Sequence, residues 1–357
     1  MVDTLSQNMS RQDILRRTGH ISQVAHARPF EFTSGKGTGC KAIGVVTGGG
    51  LEFTVLQDRC LDVLDLRYKG VNLSFIAKPG VTSPQFFVPH DQFRYYFNGG
   101  FLYTCGLRNV GTSTNENGEE HPMHGRIGAI PAENVGISTR WQENQYVISI
   151  SGEMREASLF GENLVLSRRI ETQMGSKRIE IFDRLTNENC RPEEIMLLYH
   201  MNFGFPFLGP DLRLMLPSST ETSPRDEDAA QGMKDYKVFT DPIDGYREQC
   251  FYHTLGSDSD GNTCALLYNQ SLNIAVSLRY NVNQLPTMTQ WKCMASGDYA
   301  LGIEPANCHV GGRTAERERG SLKSLAGFES MNIKLDITVL EGDEIPLFLQ
   351  TCGLRLE

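Results

Sequence analysis

Three short segments carry side chains able to move protons. The chain reads LYHMNFGFP around His200, HPMHGRIG around His124 and LGIEPAN around Glu304. Each sets a titratable group among apolar and turn residues, where a charge is expensive unless it is used. Two imidazoles and a carboxylate suffice for acid–base chemistry near neutral pH.

His200 ends the run EIMLLYH, in which Ile195, Leu197 and Tyr199 alternate with Met196, Leu198 and His200. That alternation predicts a strand with His200 on one face. The functional reading is an acid aimed into a pocket lined by Phe203 and Phe205; the other is a satisfied core histidine. After His124, Gly125 lets a ligand approach the backbone. Arg126 shares the side of His124 if the segment is extended, or turns outward to pair with Glu119 or Glu120. Glu119, Glu120, His121 and His124 could hold zinc, but no second ligand motif accompanies them, so no metal is expected. Glu304, before Pro305, reads as a buried carboxylate with a raised pKa, or as an ion-paired structural glutamate. Arg108 closes NGGFLYTCGLRNVG, where Gly99-Gly100 lacks the residues of a phosphate loop. Trp291 is a stacking platform or plain core. No GxSxG occurs, and Cys308 and His309 would point to opposite faces of a strand.

The elements that must hold these groups are strands. KAIGVVTG, LEFTVLQD, CLDVLDLRY, VNLSFIA, QYVISISGEM, LVLSRRIET, RIEIFDRLT, EIMLLYHMNF, LRLMLP, CALLYN, NIAVSLRYN, MTQWKCM, YALGIE, SMNIKLDITVL and IPLFLQTCG all read as β. Glycine-rich turns such as Gly48-Gly49-Gly50 and Asp260-Gly261-Asn262 separate them. No helices alternate with the strands, which excludes a parallel sheet of βαβ units. The expectation is all-β: large antiparallel sheets packed face to face in one domain over residues 1–357. A helical extension precedes them over residues 1–20, where Ser10 and Asp13 fit a capping box. The polar stretch from Pro217 to Lys237 is expected to be a long surface excursion, functional or mobile.

Composition limits the partners. Of the 357 residues, 39% are hydrophobic and 22% charged, an ordinary balance for a globular protein. A net charge of −9 disfavours nucleic acid and anionic membrane surfaces. The nine cysteines are scattered without a CxxC and read as free thiols in a reducing compartment. With no signal segment and no run long enough to span a bilayer, a cytoplasmic protein is expected. Oligomeric state stays open between monomer and homodimer.

In order along the chain, Arg108-Asn109, His124-Gly125, His200-Met201-Asn202-Phe203 and Glu304-Pro305 resemble the marks of the aldose 1-epimerase (galactose mutarotase-like) family. More closely, the chain is similar to an uncharacterised bacterial branch of it, a domain of unknown function. The resemblance runs over nearly the whole chain. It implies a β-supersandwich with the site in a cleft on one concave sheet, a small carbohydrate as partner and no cofactor. It implies Glu304 as the base that takes the anomeric proton and His200 as the acid that protonates the ring oxygen. His124 and Arg108 would bind substrate hydroxyls, with Asn202, Trp291 and Arg126 also facing the sugar. The family's middle aspartate has no clear match; Asp241 and Asp244 are candidates. Arg108 and Arg126 together would favour an acidic sugar. Rival functions are a non-catalytic carbohydrate sensor, or a lyase or hydrolase on the same scaffold.

Overall fold

The alternating segments assemble into three large antiparallel sheets, beside a two-stranded pair of Thr114–Glu116 with Glu119–His121. The computed structural model describes residues 9–87, 93–116 and 118–355. A five-stranded meander runs through His26–Glu31, Lys41–Val46, Leu51–Leu56, Asp62–Tyr68 and Val71–Asn72. The eight-stranded outer sheet is ordered Leu212–Met215, Asn262–Asn269, Ile274–Asn281, Ser330–Glu341, Arg178–Asn187, Asn163–Gln173, Gln145–Ala157 and Glu133–Gln142. The third sheet holds the candidate site. Its order is Glu221–Pro224, Gln249–Thr254, Thr287–Ala295, Asp298–Ala306 and Glu193–Phe203, whose far edge pairs with Leu102–Leu107 and Lys323–Leu325.

One apolar cluster joins all three sheets, with Ile43 and Val55 from the first, Ile181 and Leu335 from the second, and Leu197, Met201 and Ile303 from the third. On Glu193–Phe203 the odd positions 195 to 203 all enter this cluster, while Met196 and Leu198 join a smaller one on the cleft side, whose Phe93, Phe97 and Met123 line the cleft. Every residue from 195 to 203 is buried, so the period-two pattern shows in which side each one faces rather than in burial.

A buried guanidinium ties the same three sheets. Arg168 donates to Asp183 Oδ2 at 2.7 Å, Asp62 Oδ1 at 2.8 Å and Thr104 Oγ1 at 3.0 Å. Tyr199 donates its hydroxyl to Asp183 at 2.8 Å. Burial pushes the Asp62 carboxyl up to about 6 against the opposing pull of Arg168. Tyr199 precedes His200, so this hub lies on the core side of the strand that presents the histidine.

Four expectations need correction. IPLFLQTCG is not a strand but lies in the helix Glu344–Cys352. Its buried or packed residues are Ile345, Phe348, Leu349 and Cys352, spaced on the period of about 3.6 that marks a helix face. Gly353 ends it with a left-handed φ of 63°, a conformation cheap only for glycine. VNLSFIA contributes only the two-residue strand Val71–Asn72. The Pro217–Lys237 stretch is partly ordered structure: Glu221–Pro224 pairs with the cleft sheet, and a helix, Glu227–Gln231, is capped by Asp226. The N-terminal helix spans only Arg11–Leu15, with Ser10 accepting from the Asp13 N–H at 3.1 Å; residues 1–8 of the expected extension lie outside the described ones. No helix among the described residues is long and apolar enough to cross a membrane.

Candidate active site

Sheet register brings His200 and Glu304 together. Leu198 faces Ala306 and Met201 faces Ile303 across the ladder, which sets His200 opposite Glu304. On the next strand Thr289 faces Glu304 and Trp291 faces Gly302, and beyond it Cys250 faces Trp291. These positions share the face opposite the main core. They floor a cleft of about 610 Å³ lined by His124, His200, Trp291 and Glu304, with Phe75, Phe93 and Phe97 as its aromatic walls.

His200 Nε2 lies 3.2 Å from Glu304 Oε1, and both side chains are buried. Burial pushes the Glu304 carboxyl well above the usual carboxylate range; neighbouring Glu248 adds to the rise and Arg225 opposes it. Burial, then the nearby His124, hold His200 well below its ordinary value. Both shifts favour the neutral forms, with a proton on the Glu304 carboxyl and the His200 imidazole uncharged. The His200 ring meets Trp291 at 5.5 Å, Phe97 at 5.5 Å and His124 at 5.8 Å between centroids.

His124 reaches the cleft from a strained turn. Its φ is 57° and that of Gly125 is 74°, and a Cβ on Gly125 would stand 2.1 Å from the Gly106 oxygen. Only glycine fits there. The Gly111 N–H donates to His124 Nδ1 at 3.4 Å, which leaves the proton on Nε2 for an acceptor in the cleft. Asn109 fixes the turn by donating to the oxygens of Pro122 and Thr112.

Four expected ligand-binding side chains lie outside the cleft lining. Arg108 turns away into carboxylates. It is hydrogen-bonded to Glu119 and lies 3.3 Å from Glu162. Arg126 donates to the Glu120 carbonyl at 2.6 Å and faces a separate hollow beside Glu156, because the turn at His124 breaks the extended spacing that would have put both on one side. Asn202 is fully buried and holds backbone, donating to Gly100 and His200 oxygens. Asp244 is exposed and accepts from Ser296. Phe203 faces the core and Phe205 is exposed, so neither walls the cleft. The acidic and histidine cluster also disperses: Glu119 turns to Arg108, and His124 to the cleft.

Residues that the sequence reading passed over take those places. Glu248 accepts from the Trp291 indole N–H at 2.7 Å. Arg225, from the Pro217–Lys237 stretch, donates to Cys250 Sγ at 2.9 Å and Asp226 at 2.7 Å, and reaches Glu248 at 3.5 Å. Lys78 and Asp298 pair at 2.6 Å on the cleft wall. Glu248 lies four residues beyond Asp244 and directly before a strand of the cleft sheet; position next to a strand end was the signal available.

Gly302 is a further missed position. A Cβ there would stand 2.2 Å from Glu304 Oε1, so the Glu304 carboxyl lies over the bare glycine. Gly302→Ala is expected to leave the fold intact, because a flexible carboxyl can give way, while lowering any turnover at this site by about tenfold or more through a displaced Glu304 carboxyl. Circular dichroism and a rate measurement on the same sample check both halves; an unchanged rate contradicts the placement.

Behind the His124 turn, Glu156 accepts from the Leu107 N–H at 2.9 Å, and burial pushes its carboxyl up to about 7. A raised folded-state pKa gives stability that is present below the unfolded value of 4.5 and lost as pH rises through about 7. Glu156→Gln keeps the acceptor and removes the titration. The variant is expected to gain on wild type by about 2–3 kcal/mol between pH 4 and pH 8, read from urea unfolding at each pH. Parallel stability curves would contradict it.

The sheet arrangement with this cleft is that of the galactose mutarotase-like fold. A Klebsiella pneumoniae protein carrying an aldose 1-epimerase assignment superposes with a TM-score of 0.87 at 25% identity, over 92% of this chain and 86% of that one. A galactose mutarotase-like protein from Clostridium acetobutylicum gives 0.62 at 15% identity, over 90% of this chain and 100% of that one. The galactose 1-epimerase of Lactobacillus acidophilus gives 0.58 at 13%, over 89% and 99%. The family model described as a domain of unknown function, DUF4432, matches residues 37–339, and the chain belongs to that family. No curated protein matches the sequence.

Proposed function

We propose that this protein is an aldose 1-epimerase, interconverting the anomers of a sugar by acid–base ring opening. The observation that carries the reading is the 3.2 Å approach of His200 Nε2 to Glu304 Oε1 on the floor of the cleft. The two oxygens that exchange protons in mutarotation sit on one carbon, so their acid and base must be close neighbours. Hydrolysis of a glycoside would instead set two carboxyls about 5–9 Å apart across the bond.

The Glu304 carboxylate takes the proton from O1–H while the C1–O1 double bond forms. The bond from C1 to the ring oxygen breaks, and His200 gives that oxygen its proton. Rotation about C1–C2 and closure by the reverse transfers give the other anomer. The cycle starts once the carboxyl proton has passed to His200, and ring closure by the reverse transfers restores that state, so the pair is unchanged after each turnover. His124, with its proton on Nε2, donates to a hydroxyl. Trp291 offers an indole edge anchored by Glu248. Arg225 and Lys78 already face carboxylates, which leaves Arg94 as the further cation of the lining, and the sugar proposed is an uncharged aldose. Polarimetry on freshly dissolved anomers of a sugar panel tests the reading. Acceleration of at least one supports it; sugar binding with no acceleration would make the protein a carbohydrate sensor.

A further inference from the structure

On the far side of the molecule, away from the cleft, two thiols meet. Cys264 stands on the outer-sheet strand Asn262–Asn269, and Cys352 is the last residue of the helix Glu344–Cys352. Both belong to one small apolar cluster with Ile345 and Phe348. Both also line a polar hollow of about 750 Å³, with Asp258, Arg279, Lys334 and Asp336 around it. Arg279 is the cross-strand neighbour of Cys264. Its guanidinium donates to Cys352 Sγ at 3.4 Å and lies over the Phe348 ring at 4.6 Å. Cys264 is buried, whereas Cys352 is half-buried and reachable from the hollow.

The two sulfurs are unequal. The Cys264 S–H donates to Cys352, and with Arg279 it draws the Cys352 thiol down to about 6. The Cys264 thiol is raised by the same hydrogen bond and by burial. An accessible thiolate beside a cation, with a second thiol in contact, is the arrangement of an attacking and a resolving cysteine.

We propose that Cys352 and Cys264 form a hydroperoxide-sensitive dithiol, whose closure as a disulfide staples the C-terminal helix to the outer sheet. The Cys352 thiolate attacks the terminal oxygen of the hydroperoxide. The O–O bond breaks, an S–O bond forms, and the peroxide leaves as an alcohol, or as water from hydrogen peroxide, after taking one proton. Sulfur is oxidised by two electrons to the sulfenic acid. Cys264 sulfur then attacks Cys352 sulfur, the S–S bond forms, the S–O bond breaks, and hydroxide leaves as water with the Cys264 proton. Together, two thiols and one peroxide give a disulfide, an alcohol and water.

The test treats the intact, reduced protein with a small excess of hydrogen peroxide and maps its peptides without reduction. The expected product is a Cys264–Cys352 link with loss of two hydrogens, reversed by dithiothreitol. Cys190, the exposed thiol, serves as internal reference. At neutral pH iodoacetamide should alkylate Cys352 about tenfold faster than Cys190, although Cys352 is the less exposed of the two. In Cys264→Ser the sulfenic acid should persist and take a dimedone adduct at Cys352; in Cys352→Ser no link should form. The wild-type map alone decides the matter if a variant folds poorly. Oxidation of Cys190 ahead of Cys352, or oxidation of Cys352 that never reaches Cys264, overturns the proposal.

Discussion

Glu304→Gln and His200→Asn are each expected to lower anomer exchange by at least ~100-fold, the scale for loss of a positioned acid or base. That is about 2.7 kcal/mol of transition-state stabilisation. Both replacements are near in shape and leave the strands Asp298–Ala306 and Glu193–Phe203 their backbone ladder. Folding should therefore persist, and Glu304→Gln also removes a carboxyl whose ionisation burial opposes. With Nε2 3.2 Å from Oε1, the two groups of the proposed mechanism should act as a unit. The double variant should lose little more than either single one. Rates that multiply would show two independent groups instead.

The second large effect concerns the hub beneath the site. Arg168→Met should destabilise the fold by about 3–5 kcal/mol, because it strands Asp62 and Asp183 in the interior without their cation. The loss should appear in the urea midpoint and grow with pH, since protonation would relieve the unpaired carboxyls. Asp183 also anchors the Tyr199 hydroxyl, so exchange by the folded fraction should fall as well. An unfolding free energy within about 0.5 kcal/mol of wild type, the range of an ordinary surface change, would show that the hub is dispensable.

Legibility in the sequence followed periodicity. Strands buried on one face, such as Arg178–Asn187 and Ser330–Glu341, announced themselves by strict alternation. Glu133–Gln142 lies at the sheet edge, mostly exposed, and its residues carry no such pattern. The helix Glu344–Cys352 hid behind a continuous apolar run, although its 345, 348, 349 and 352 spacing was present. For the site, His200 and Glu304 stand out as titratable groups within apolar strands and as matches to the family's motifs; both strands are buried on both faces, so alternation alone does not set their side. Arg108 and Arg126 could not, since the turn at His124 and Gly125 departs from extended backbone. Arg225 and Glu248 come together through pairing across long sequence separations, which local pattern does not encode. Gly302 is legible only once the carboxyl lying over it is seen.

The most direct measurement is two-dimensional exchange NMR on anomeric protons at equilibrium, with a panel of neutral aldoses and wild-type protein beside Glu304→Gln. The account predicts cross-peaks between α and β anomers of at least one sugar that build up far faster than without protein, and that fall to near the spontaneous rate in the variant. Sugars that bind in the cleft while their anomers exchange no faster than in buffer would contradict it.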